Sequence, residues 1–110
     1  MTLEQLHGID IVTAPAPNKI GLHIVDTGAV IDPEERYLRL MAKLLAYVRY
    51  VQSAQFGDEH PGMAVEDVVI FVEHFTPLSP SMAGIVNITP HGKPTPRIPV
   101  IFVDHAGGMY

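Results

Sequence analysis

A chain of 110 residues that is 47% hydrophobic and 17% charged is long enough for one domain with its own core and too apolar to stay disordered. A formal net charge of −5, with seven Lys and Arg in all, argues against nucleic acid or an anionic membrane surface as partner, because both are held by basic clusters. With no cysteine there is no disulfide, no thiolate metal site and no cysteine nucleophile.

Met1 to His7 has neither a basic n-region nor an apolar h-region, so it reads as no secretory signal, and a soluble cytoplasmic protein is expected. Apolar runs are strand-sized, far short of the ~20 residues a spanning helix needs. Ile9 to Thr13 is β-branched and stops at Pro15 and Pro17. Ile20, Leu22 and Ile24 then alternate at period two as far as Asp26, which predicts an opening hairpin.

Asp32-Pro33-Glu34-Glu35 is a helix start. Asp32 suits the N-cap, Pro33 the first helical position, and the two glutamates the positive end of the helix dipole. The pattern predicts one long helix to about Phe56, stopped by Gly57. Tyr37, Met41, Leu44, Val48 and Val51 form its apolar stripe, widened by Leu38, Leu40 and Leu45. Arg36, Arg39 and Lys43 are placed mainly on the polar side, with Glu35 and Arg39 paired at i,i+4. So wide a stripe suits a helix that lies on a sheet and also offers a dimer seam.

Gly57 to Gly62 is a loop by composition. Asp67 to Phe75 is nearly continuous in apolar residues and predicts a central strand covered on both faces. Ser81 to Thr89 leans towards strand, with a short helix at Ser81-Met82-Ala83 as the alternative. Residues 90–99 carry four prolines and form an irregular connection, and residues 98–105 form a terminal strand. No domain boundary is visible, so residues 1–110 are expected to be a single domain.

Val69-Ile70-Phe71-Val72-Glu73-His74 is echoed by Val100-Ile101-Phe102-Val103-Asp104-His105, and His23 and Asp26 also sit near a strand end. If these strands are neighbours, His23, His74, His105, Glu73 and Asp104 are candidate metal ligands, since imidazole plus carboxylate suits zinc or non-haem iron. The spacing matches no metal signature, however, and adjacent residues on a strand point to opposite faces. Each acid–His pair therefore offers one member to any given site. No phosphate loop or nucleophile elbow is present, Ser53, Ser79 and Ser81 have no motif context, and His60 lies in an acidic loop. No cofactor is expected.

Several pieces carry a resemblance: His23-Ile24-Val25-Asp26, Pro33-Glu34-Glu35, Lys43-Leu44-Leu45-Ala46-Tyr47 with Tyr50, His60-Pro61-Gly62, Asp67 to Val72, and Thr76-Pro77-Leu78-Ser79-Pro80. Over roughly residues 9–80 the chain resembles a family of small bacterial proteins known only as a domain of unknown function, with a hairpin, long helix and strand as its core. The resemblance implies that fold and no activity, and residues 81–110 do not follow it.

The expected fold is α+β: an antiparallel or mixed sheet of about four or five strands with one long helix packed on one face. The expected function is a non-enzymatic homodimeric protein-interaction module, with residues 98–105 open to exchange between protomers. One alternative is a small metal-dependent or acid–base enzyme using the strand-end His and Asp/Glu. The other is a small-ligand-binding domain with a pocket near Tyr47 and Tyr50.

Overall fold

A computed structural model describes residues 11–13, 19–88 and 97–105, the first three by backbone alone. Expectations about Met1 to His7, the loop with Pro15 and Pro17, and residues 90–96 lie outside the described residues. The fold is α+β, built on an open mixed sheet. Strands β1 (Ile11–Thr13), β2 (Ile20–Asp26), β3 (Val68–His74), β4 (Asn87–Ile88) and β5 (Ile98–Asp104) lie in the order β1-β2-β3-β5-β4. The central strands β2, β3 and β5 are parallel, and the short outer strands are antiparallel to their neighbours. The opening hairpin is present as β1 and β2, and β5 pairs along β3 of its own chain.

Among the described residues three α-helices connect the strands, α1 (Pro33–Val51), α2 (Ala54–Glu59) and the single turn α3 (Pro80–Ala83), with a 3-10 turn at Val65–Asp67 leading into β3. The chain steps from β2 to β3 to β5 in one direction across the sheet. Crossovers between parallel strands are right-handed, so successive steps in one direction place their connections on the same face. Met82 of α3 accordingly shares one buried core with Leu40, Leu44, Tyr47 and Val48 of α1. The sheet contributes Ile20, Leu22 and Ile24 from β2, Val68, Ile70 and Val72 from β3, and Ile98 and Val100 from β5. Each large apolar side chain fully buried here contributes about 1.5–3 kcal/mol relative to exposure.

Asp32 caps α1 as expected, its Oδ2 accepting the Glu35 N–H at 3.1 Å, and Arg39 pairs with Glu35 at 3.0 Å. Three expectations need correction. First, the long helix ends at Val51, not near Phe56. Ser53 Oγ accepts the Phe56 N–H and donates to the Tyr50 carbonyl oxygen, which starts α2. At 100° per residue a continuous helix would turn Phe56 about 140° away from Val51. The break instead buries both, and Gly57 lies inside α2.

Second, the buried face of α1 is Arg36, Leu40, Lys43, Leu44, Tyr47, Val48 and Val51, while Leu38 and Leu45 are exposed. Arg36 and Lys43 therefore belong to the covered face rather than the polar one. Third, β3 is central but buried on alternate residues only, and its other face is half-buried. Between Ser81 and Thr89 the chain makes α3 before the two-residue strand β4.

Candidate functional site

The parallel strands β2, β3 and β5 end side by side, with Asp26, His74 and Asp104 in one register row. This end of a parallel sheet is where α/β folds gather chemistry. Because side chains alternate, the polar residues there divide into two clusters, one on each face.

On the helix face, Asp26 is 1% exposed and Arg36 7%. The guanidinium donates from Nε to Asp26 Oδ2 at 2.7 Å and approaches the same oxygen through Nη2 at 2.5 Å. Its remaining donors reach the carbonyl oxygens of Pro77 (2.7 Å) and Thr76 (3.3 Å), while Asp26 Oδ1 accepts the Gly28 N–H at 3.2 Å. One buried pair thus ties the start of α1 to the segments that follow β2 and β3. Gly28 has φ +86°, and a Cβ there would lie 2.5 Å from Thr76 Cγ2, so both backbone and space demand glycine. His74 is buried. Its Nδ1 lies 2.8 Å from the Thr76 carbonyl oxygen, a bond in which it must be the donor. Asp104 Oδ1, at 4.0 Å, is beyond hydrogen-bond range of that nitrogen.

On the open face, Glu73 joins two histidines. His23 Nδ1 is 2.8 Å from Glu73 Oε2, and His105 Nε2 is 3.2 Å from Glu73 Oε1. A carboxylate only accepts, so it selects the Nδ1–H form of His23 and the Nε2–H form of His105. Each imidazole is also stacked on a phenylalanine: His23 on Phe71 with centroids 4.9 Å apart, His105 on Phe75 at 4.7 Å. Behind the sheet, Tyr47 Oη donates to the His23 carbonyl oxygen at 2.7 Å, fixing α1 to the strand that carries the triad. The triad is part-buried among half-buried and exposed apolar groups, including Ile101, which is 45% exposed.

No family model, curated protein or solved structure matches the chain. Function must therefore be read from this geometry.

The five sequence candidates do not form one group. His23, Glu73 and His105 meet on the open face, whereas His74 and Asp104 lie on the helix face. Among the described residues no three His, Asp or Glu side chains form a group that could hold a metal ion. What the triad can do is orient two imidazoles about one carboxylate, the arrangement that acid–base chemistry and polar recognition both use. Arg36 is the residue that sequence reasoning missed. Its signal was positional: Arg36, Leu40, Lys43 and Tyr47 follow the 4-3-4 spacing of a covered face.

The tyrosines proposed to line a pocket have other roles. Tyr47 is fully buried in the core. Tyr50 Oη donates to Glu59 Oε1 at 2.5 Å. Burial, reinforced by the hydrogen bond to Glu59 and its negative charge, pushes the Tyr50 hydroxyl up to about 12. The bonds from Tyr50 and Gln55 hold the Glu59 carboxyl below its ordinary value. Among the described residues no helix is long and apolar enough to cross a membrane.

Proposed function

We propose that the protein is a self-associating interaction module in which two copies pack through the open faces of their sheets. The observation that carries this reading is one-sided coverage of a parallel sheet. Parallel strands are ordinarily covered on both faces. Here the described helices that contribute to the core lie on one face, while the other presents Val25, Val69, Phe71, Ile101 and Val103 around the triad.

A second copy suits this face better than an unrelated partner because the face is its own complement. It is a flat apolar surface around one small polar cluster, so a two-fold axis can lay the apolar rows of the two copies against each other. Size sets the strength. Three seven-residue strands span about 23 Å by 14 Å, or roughly 330 Å², well below the ~800 Å² per partner of a standard interface. The dimer is therefore of the weak, dissociable class.

Sedimentation velocity over a concentration series tests this. Wild type should pass from monomer to dimer, and Ile101→Glu, which puts a charge on the open face, should remain monomeric with an unchanged circular dichroism spectrum. If Ile101→Glu dimerises as well as wild type while Leu45→Glu does not, the contact is the α1 seam and the reading is wrong. A second reading, acid–base catalysis by His23 or His105 oriented by Glu73, is favoured by the triad itself. It predicts covalent labelling of one imidazole by diethyl pyrocarbonate well ahead of His60.

A further inference from the structure

We propose that the outer face of α1 is a second self-association seam, independent of the open sheet face, on which two copies pair antiparallel about a two-fold axis between Met41 and Ala42. The stripe follows from helical spacing. At 100° per residue, Glu34, Leu38, Met41, Ala42, Leu45 and Arg49 fall within one arc of about 100°. That arc points away from the core, which α1 meets through Leu40, Leu44, Tyr47 and Val51. Leu38 is 58% exposed and Leu45 47%, one heptad apart, the period at which paired helices meet.

A second copy is selected because the stripe is its own complement. Turned about the axis, Leu38 of one copy meets Leu45 of the other, Met41 meets Ala42, large against small, and Glu34 meets Arg49. Both charges are exposed, and among the described residues neither has an ion pair within its own chain. Glu35 and Arg39, beside the stripe, already pair with each other, and Lys43 is buried on the far side of the helix. A parallel pairing would set Glu34 against Glu34 and Arg49 against Arg49, so charge chooses the antiparallel one. From Glu34 to Arg49 the helix runs about 22 Å and is about 10 Å wide, a strip of roughly 220 Å² against roughly 330 Å² for the open face. The seam therefore closes at higher protein concentration than the open-face dimer. The sheet and its core separate the two surfaces, so neither contact blocks the other. Alternating them extends the dimer into an open row of copies.

The test uses the full chain, in which the absence of cysteine makes an introduced thiol unique. Single cysteine variants are treated with a short bismaleimide at concentrations above those that complete the open-face dimer, with circular dichroism checking the fold. Ala42→Cys, beside the axis, should link to itself several-fold faster than Gly57→Cys, an exposed position on α2. Glu34→Cys lies about 22 Å along the helix from the same position in the other copy and should not self-link, yet it should link to Arg49→Cys when the two are mixed. On the Ala42→Cys background, Glu34→Arg or Arg49→Glu should slow the reaction about threefold or more, and the two together should restore it. Leu45→Glu should remove it. Ile101→Glu, monomeric in the lower concentration range, should leave it in place, which supports the seam whether or not the open face self-associates. If Ala42→Cys links no faster than Gly57→Cys, the seam is overturned and the open-face reading is untouched. Self-linking of Glu34→Cys means a parallel pairing and overturns the register. A double charge reversal as slow as the single ones overturns the complementarity that selects a second copy. Loss of linking with Ile101→Glu overturns the independence of the two faces.

Discussion

Arg36→Ala should be among the most destabilising single substitutions in the chain. Asp26 is 1% exposed and accepts two guanidinium contacts on one oxygen, so removing the cation strands a carboxylate in the core. Breaking a buried pair from one side costs about 3–5 kcal/mol, a large share of the roughly 5–15 kcal/mol that holds a domain of this size together. The lost bonds to the Thr76 and Pro77 carbonyls belong to the same event and are not added separately. Urea unfolding is the assay. With a slope of about 2 kcal/mol/M the midpoint should fall by about 2 M, and the melting temperature by roughly 12–20 °C. Removing both charges is a different perturbation. Asp26→Leu/Arg36→Met leaves no unpaired ion and should lie far closer to wild type than the single variant, the difference measuring the coupling. If Arg36→Ala costs less than about 1 kcal/mol, or if the double variant is as damaged as the single, the pair does not tie α1 to the strand ends as argued.

Gly28→Ala should cost about 1–3 kcal/mol by thermal unfolding, because φ +86° is strained for alanine and the new methyl meets Thr76; a neutral result would show that the segment relaxes freely. Tyr50 has its hydroxyl raised to about 12, so the stability it contributes is present below the unfolded value of about 10 and is lost as pH rises from there towards 12. Tyr50→Phe should flatten that alkaline loss and remove a late step from the absorbance titration at 295 nm. The Glu59 shift runs the other way: its contribution is present above the unfolded carboxylate value and lost as pH falls through its lowered one, a loss that Tyr50→Phe should also diminish. Deleting residues 97–110 removes Ile98 and Val100 from the core and the whole partner of one edge of β3, so the truncated chain should give no cooperative unfolding transition.

Strands and caps were legible in the sequence because each rests on local chemistry. Ile20, Leu22 and Ile24 alternate, Asp32-Pro33 can do little but begin a helix, and Val69 to Val72 favours strand in any apolar setting. The phase of α1 is misread when only apolar residues are counted. Such a count assigns Arg36 to water although its spacing to Leu40, Lys43 and Tyr47 fits the covered face, and what makes a guanidinium belong inside, Asp26, lies on another element. The break at Ser53 failed for a similar reason: its value lies in burying Phe56, which only the packed core makes worthwhile. Division of the five site candidates between two faces followed from strand alternation alone. What the sequence left open was how the strands align, and that decides which acid meets which histidine.

The alignment of β3 with β5 shows why this matters. The echo between Val69–His74 and Val100–His105 is 31 residues apart, but the ladder pairs Ile70 with Val100 and His74 with Asp104, an offset of 30. Matching the echo in step would have set Glu73 beside Asp104 and His74 beside His105, like against like, which cross-strand neighbours resist. The offset places His74 in the row of Asp104 and brings His105 to Glu73. Hydrophobicity discriminates weakly between these alternatives over Val100 to Val103, because those four residues are apolar on both faces. Two features at the ends decide. Sliding by one would replace Ile98 in the core by Pro99, and it would face two carboxylates together. The same one-residue slip also turns the second copy of the motif over, so that Phe71 lies on the open face while Phe102 packs on the core. The triad on the open face is therefore a product of register: the β3–β5 offset that keeps Glu73 from Asp104 is the one that brings His105 to the carboxylate that His23 meets from β2.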